Sequence, residues 1–124
     1  MENNKEYEKW LETVSDDGLE LENVPADLRT YEMCFEAIND HSGAFEFVPE
    51  ELKTKELCET VLRYDGYQLI NVPEKLKTKE MCEIALENIY FWIEMCLEND
   101  VPEKFREELA EKYDIELPDK AKGR

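Results

Sequence analysis

Apolar residues fall into pairs one helical turn apart, and the same arrangement recurs three times along the chain. The spacing i, i+1, i+4, i+5 places four side chains in one stripe along an α-helix. The pattern therefore predicts three amphipathic helices. Their buried positions are Met33, Cys34, Ala37 and Ile38; Leu57, Cys58, Val61 and Leu62; and Met81, Cys82, Ala85 and Leu86.

Polar residues and glycines mark where these helices begin and end. Thr30, Thr54 and Thr78 precede the three stripes, where a hydroxyl can cap a helix by accepting backbone N–H groups. Gly18 and Gly66 stand where the preceding helix should stop, so we expect them to be left-handed terminal residues. A shorter helical or 3₁₀ element should follow and end at a Val-Pro pair. The proline then starts a turn or short helix in its tolerated first position.

The whole pattern has a 24-residue period. Pro25, Pro49 and Pro73 share this spacing, whereas Pro102 comes late because the third repeat carries a five-residue insertion. The pattern predicts an all-α fold, a short solenoid-like stack of helical hairpins in which neighbouring units bury each other's stripes. The predicted single domain consists of a degenerate unit (1–24), repeats at 25–48, 49–72 and 73–101, a C-terminal cap (102–117) and a frayed tail (118–124).

Two of these units are nearly identical, reading V-P-E-E-L-K-T-K-E-L-C and V-P-E-K-L-K-T-K-E-M-C. They resemble a family of short bacterial repeats known as a domain of unknown function. The resemblance covers residues 17 to about 97, and it departs at Ala26 and beyond Pro102. It implies an all-helical repeat fold and a bacterial or bacterium-associated origin, and it supplies no activity and no catalytic residues.

Charge narrows the possible partners. The chain has 32 acidic and 15 basic residues, a net charge of −17. Such a surface repels phosphates and anionic lipid heads, which argues against direct binding of nucleic acid or membrane and favours a basic protein partner. No apolar run approaches the ~20 residues of a membrane helix, and the first residues do not look like a secretory signal. We therefore expect a cytoplasmic protein.

Residues that could carry chemistry do not form a recognisable motif. Cys34, Cys58 and Cys82 recur inside the stripes, so we interpret them as reduced core residues rather than zinc ligands, which would need closely spaced pairs or histidines. His41 is the only histidine, and we interpret it as a polar residue at a helix end rather than a catalytic partner of a cysteine. We predict no enzymatic activity, no cofactor and no metal site.

Two features beyond the repeat are candidate partner-binding surfaces. Residues 1–48 carry 13 acidic and 3 basic side chains, which form either a solvated face or a docking site for a basic partner. The main contributors are Asp16, Asp17, Glu20, Glu22, Asp27, Glu32, Glu36 and Asp40.

The second feature is the run Ile89-Tyr90-Phe91-Trp92-Ile93, which includes the five-residue insertion. We expect it to lie in a longer second helix of the third repeat. This stretch, with Met95, Cys96 and Leu97 behind it, either packs on the C-terminal cap through Phe105, Leu109 and Tyr113 or presents an exposed aromatic surface that binds another chain. The aromatic residues of that surface would be Tyr90, Phe91 and Trp92.

Three functions remain open on the sequence. The first is a non-enzymatic protein–protein interaction module that acts through its acidic surface. The second is an inhibitor that imitates nucleic acid and occupies the basic groove of a nucleic-acid-processing enzyme, as phage-encoded antagonists of bacterial defence systems do. The third and weakest is an enzyme that uses carboxylates.

Overall fold

A computed structural model describes residues 2–117, and every regular element among them is helical. The prediction of an all-α fold is therefore confirmed for this part of the chain. The predicted frayed tail, 118–124, lies outside the described residues. The α-helices are α1 (Glu2–Asp16), α2 (Tyr31–Asp40), α3 (Lys55–Tyr64), α4 (Lys79–Leu86), α5 (Ile93–Asn99) and α6 (Glu103–Lys112).

Pairs of 3₁₀ segments, one longer and one shorter, connect the first four helices. They are Gly18–Asn23 with Ala26–Leu28, Ser42–Phe47 with Glu50–Leu52, and Gly66–Asn71 with Glu74–Leu76. The three pairs are evenly spaced along the chain. Pro25, Pro49 and Pro73 cap the short segments with nearly equal φ of −53°, −56° and −55°. Contrary to our expectation, each proline thus precedes its segment instead of occupying the first position.

The chain divides into two compact units, Met1–Leu57 and Cys58–Arg124, which we call the N-terminal unit and the C-terminal unit. In the N-terminal unit, α1 packs on α2, and the segment Gly18–Asn23 packs against both helices. In the C-terminal unit, α4 and α5 both contact the segment Gly66–Asn71, and α5 also contacts α6.

The predicted caps and stripes are confirmed. Oγ1 of Thr30, Thr54 and Thr78 accepts from the backbone N–H three residues later, at 3.2, 3.2 and 3.1 Å. All twelve stripe residues are buried, and none exposes more than 7% of its surface. Burial of these apolar side chains is the main force that holds each unit together.

The expectation of left-handed glycines is wrong. Neither Gly18 nor Gly66 has a positive φ, and each begins a 3₁₀ segment after an extended aspartate. These positions need glycine because the chain passes too close to a neighbouring helix for a side chain. A Cβ at Gly18 would lie 2.1 Å from the carbonyl oxygen of Ala37, and one at Gly66 would lie 2.0 Å from that of Ala85.

After three of the Val-Pro prolines, a basic residue four positions later binds backbone carbonyls around the turn. Arg29 donates from Nε to the carbonyl of Val24 at 2.8 Å, and Arg106 does the same to Val101 at 2.8 Å. Arg29 also donates to the carbonyl of Phe47, the residue before the next Val-Pro pair, at 2.9 Å. The ammonium group of Lys77 donates to the carbonyl of Asp100, which likewise precedes a Val-Pro pair, at 3.1 Å. Sequence analysis missed this set, although its regular spacing was visible.

The insertion does not lengthen a helix, contrary to our expectation. Helix α4 ends at Leu86, and no α-helix resumes until Ile93. The run from Ile89 to Trp92 consists of β-branched and aromatic residues, which are weak helix formers. Asn88 also turns its side-chain amide back to the carbonyl of Ile84 at 2.8 Å, a bond that competes with helix continuation.

None of the helices described between residues 2 and 117 has the length and apolar character needed to span a membrane.

Candidate functional site

The eight acidic residues proposed as partner contacts all lie in the N-terminal unit. Seven are exposed, and Glu20 is half-buried. Some of them also hold local structure. Asp17 accepts from the backbone N–H of Leu19 at 3.1 Å, and Asp40 accepts from that of Gly18 at 2.8 Å. The hydroxyl of Tyr7 donates to Glu32 at 3.3 Å. These carboxylates therefore serve the fold as well as the surface charge.

Six exposed carboxylates form two regular rows, which we call the acidic rows. One row lies along α1, and the other lies along α2 at positions 24 residues later in the chain. Residues four apart share a helix face and are separated by about 6 Å along the axis. The rows are Glu8, Glu12 and Asp16, and Glu32, Glu36 and Asp40. Glu8 and Glu12 were absent from the sequence-based set, although their spacing to Glu32 and Glu36 could have revealed them.

The aromatic loop, which we define as Tyr90–Trp92, projects into solvent from the C-terminal unit. Tyr90, Phe91 and Trp92 are 88%, 73% and 69% exposed, and Met95 on α5 is 55% exposed. Packing of these three aromatic residues on the C-terminal cap, the first alternative considered above, is therefore wrong. Ile89 is buried and anchors the base of the loop.

The backbone holds the aromatic loop in a costly conformation. Trp92 has φ 64° and ψ 29°, in the left-handed region. This region costs an L-residue other than glycine about 1–2 kcal/mol. The hydroxyl of Tyr67 holds the loop through two hydrogen bonds. It accepts from the backbone N–H of Phe91 at 2.9 Å, and it donates to the backbone carbonyl of Phe91. A strained, exposed tryptophan held by a specific clamp is typical of a functional surface.

An apolar groove of about 300 Å³ opens beside the aromatic loop. It is lined by Tyr67, Trp92, Met95, Cys96 and Asp100. Burial raises the pKa of the Asp100 carboxyl, against the opposing effect of the Lys77 ammonium and a hydrogen bond from Cys96. Burial, helped by Asp100, raises the pKa of the Cys96 thiol to about 12. The groove thus combines aromatic walls with one partly desolvated carboxylate.

Cys34, Cys82 and His41 contribute to the fold: the two thiols are buried, and the histidine caps a 3₁₀ segment. Burial raises the pKa of Cys34 to about 11 and that of Cys82 to about 12, so both thiols stay protonated and weakly nucleophilic at neutral pH. Nδ1 of His41 accepts from the backbone N–H of Gly43 at 3.1 Å, and Asp17 and Asp65, which lie 24 residues earlier and later, make the same capping bond. Within residues 2–117, no group of three or more His, Cys, Asp or Glu is placed to hold a metal ion.

No protein-family model matches this chain, and comparison with curated proteins and with solved structures finds no match either. Function is therefore inferred from the acidic rows and the aromatic loop themselves.

Proposed function

We propose that the protein is a non-enzymatic protein-binding module whose partner has a basic surface. The observation that carries this proposal is the aromatic loop, where three adjacent aromatic side chains are each more than two-thirds exposed. Aromatic residues dominate the energetic centres of protein interfaces, because they bury a large area at a low cost in side-chain entropy. Exposure of these aromatic side chains to water is unfavourable for the isolated protein, and so is the strained backbone of the loop.

The basic character of the partner follows from charge complementarity. The net charge of −17 raises the association rate of a basic protein and repels nucleic acids and anionic membranes. The segment 87–100, which contains the aromatic loop, carries four acidic residues and no basic one. A partner that buries the aromatic loop must therefore tolerate or neutralise these charges.

The regular recurrence of caps, prolines and 3₁₀ segments supports our interpretation of the chain as a helical repeat stack. It is the arrangement implied by the resemblance to the bacterial repeat family. Repeat stacks present extended surfaces that suit recognition of other proteins.

A second candidate function is imitation of nucleic acid, and the acidic rows favour it. Two series of three exposed carboxylates, each at regular spacing along its helix, resemble an array of phosphates. A basic groove evolved to hold nucleic acid would accept such an array, and the protein would then act as an inhibitor. In this case the acidic rows, and not the aromatic loop, would dominate binding.

Affinity capture from host lysate with the immobilised full-length chain distinguishes the two functions. Four baits are compared: wild type, Y90A/F91A/W92A, E12K/E36K, and the control E111K/E116K, which makes two charge reversals outside both surfaces. Captured proteins are identified, and the leading candidate is purified for measurement of Kd.

For a binding module, we expect the triple alanine variant to weaken Kd by about 30-fold or more, as loss of an aromatic hot spot does. The variant E12K/E36K should mainly slow association. If Kd is instead unchanged in the triple variant, and binding is lost in E12K/E36K and in about 0.5 M salt, nucleic-acid imitation replaces the first proposal.

A further inference from the structure

The groove beside the aromatic loop has walls suited to a flat cation. Two aromatic residues, Tyr67 and Trp92, line it together with Met95. Aromatic faces attract cations through their quadrupole, and tryptophan does so most strongly. A guanidinium group is planar and weakly hydrated, so it stacks on such faces at a lower desolvation cost than an ammonium group.

One acidic residue, Asp100, lines the same groove. Asp100 is half-buried, and burial raises the pKa of its carboxyl although Lys77 is nearby. Lys77 does not line the groove; its ammonium donates to the backbone carbonyl of Asp100 at 3.1 Å and lies 3.5 Å from Glu74. Because a carboxylate offers about four acceptor positions, the bond from Cys96 leaves room for a second donor.

The surroundings select a positively charged ligand. The residues Glu87, Glu94 and Glu98 share the segment 87–100 with Asp100, and this segment has no basic residue. An anionic ligand, such as an anionic lipid head group, would be repelled, and a neutral apolar ligand would leave the remaining acceptor positions of the Asp100 carboxylate without a donor.

We propose that this groove takes the guanidinium group of an arginine side chain, stacked against Trp92 and Tyr67 and paired with the carboxylate of Asp100. This inference rests on the proposed function, because it names the side chain that the basic partner inserts. The alkyl part of the arginine would contact Met95, and the guanidinium N–H groups would donate to the carboxylate oxygens.

Tryptophan fluorescence tests the proposal without the partner. The chain has two tryptophans, Trp10 and Trp92, so the W10F background leaves Trp92 as the only tryptophan, and excitation at a wavelength that tyrosine does not absorb isolates its emission. This full-length variant is titrated with N-acetyl-arginine amide, with the uncharged isostere N-acetyl-citrulline amide, and with N-acetyl-lysine amide. The arginine titration is repeated with D100N and with D114N, a control that removes the same charge from an exposed position of the C-terminal unit.

We expect a saturable change with the arginine amide in the millimolar range, and binding of the lysine and citrulline amides that is weaker by about tenfold. D100N should weaken arginine binding about tenfold, and D114N should leave it unchanged. Equal binding of the arginine and citrulline amides, equal binding of the lysine amide, or an unaltered D100N variant would overturn the proposal. The three-ligand series decides the question even if D100N does not fold.

The outcomes also separate this inference from the proposed function. If the arginine amide does not bind, yet the partner loses affinity for Y90A/F91A/W92A, then the guanidinium assignment fails and the binding module stands. If the partner binds Y90A/F91A/W92A as tightly as wild type, the proposed function fails, whether or not the arginine amide binds.

Discussion

Two residues with positive φ, Trp92 and Asp114, show how a local conformation can serve either the fold or a surface. Asp114 has φ 55° and follows the end of α6. The next N–H, that of Ile115, returns to the carbonyl of Ala110 at 2.8 Å, the hydrogen bond that characterises a Schellman helix ending. Helix termination thus explains the conformation of Asp114. Trp92 precedes a helix, where no such ending is required, and its strain accompanies an exposed aromatic side chain.

Replacing Trp92 by glycine should therefore stabilise the protein. Glycine adopts the left-handed region freely, although its greater freedom in the unfolded chain offsets part of the gain, so we expect W92G to raise the free energy of unfolding by about 0.5 kcal/mol in urea denaturation. D114G is the matched control, since it relieves the same conformation in a helix ending and should also be stabilising. A W92G variant clearly less stable than wild type would contradict the expectation and show that the contacts of the tryptophan side chain outweigh its backbone strain.

The glycines that begin two 3₁₀ segments should tolerate no side chain. G66A would place a Cβ 2.0 Å from the carbonyl oxygen of Ala85, and the neighbouring backbone has to move to admit it. We expect G66A to lower the free energy of unfolding by about 3 kcal/mol, at the upper end of overpacking effects. G43A is the control, because its nearest atoms, at 3.0 and 3.1 Å, belong to the side chain of His41. Equal losses in the two variants would contradict the close-approach explanation.

At the scale of residues, the sequence pattern correctly indicated the helix caps and the special glycine positions. The structural reason predicted for the glycines, a positive φ, was wrong. The sequence pattern of a glycine before a new segment is the same whether the position requires a positive φ or has no space for a Cβ atom. The backbone φ of Gly66 and the short distance from a Cβ placed there to the carbonyl oxygen of Ala85 separate the two explanations. That distance depends on packing between segments that are not adjacent in the sequence.

At the scale of elements, the acidic rows place like charges one helical turn apart on α1 and α2. Like-charge pairs at this spacing destabilise a helix by about 0.2–0.5 kcal/mol each. Along α2, Glu36 lies between Glu32 and Asp40, so it takes part in two such pairs. The N-terminal unit therefore keeps an arrangement that lowers its own stability.

Charge reversal at the centre of the row should stabilise the protein. E36K converts two repulsive pairs into two attractive ones, so we expect about 1 kcal/mol of added stability at low ionic strength. The gain should shrink in about 1 M salt, because screening weakens exposed charge pairs. Thermal unfolding at two salt concentrations measures this difference, with E36Q giving about half the effect. A salt-independent gain would mean that helix propensity, not charge, is responsible.

The sequence pattern predicted the helices whose caps and stripes recur along the chain. The prediction for the insertion after α4, which has no second copy, was wrong. Caps and stripes recur at a fixed period, so each copy supports the interpretation of the others. The insertion after α4 has no second copy, and its apolar run suits a buried helix and an exposed loop equally well. The exposure of Phe91 and Trp92 and the groove formed with Asp100 depend on tertiary placement, which residue pattern does not encode.

At the scale of the whole molecule, the buried thiols make stability depend on alkaline pH. Burial raises the pKa values of Cys34, Cys82 and Cys96 to about 11, 12 and 12, from an ordinary value of 9.0. Above pH 9 the unfolded chain releases these protons while the folded chain retains them. Their contribution to stability is therefore fully present below pH 9 and decreases as pH rises towards the folded pKa values.

Urea denaturation at pH 8 and at about pH 10 should reveal this loss, at about 1 kcal/mol per thiol. C82A removes one titrating group, so the difference in unfolding free energy between the two pH values should decrease by about one-third. An unchanged difference in C82A would show that other groups cause the alkaline loss.

The most direct test of the central claim, that the aromatic loop binds a protein partner, is the Kd of the purified partner for W92G compared with D114G. Both variants should be at least as stable as wild type, so neither loses affinity through unfolding. We expect W92G to bind about 30-fold more weakly and D114G to bind like wild type. Wild-type affinity in W92G would contradict the claim.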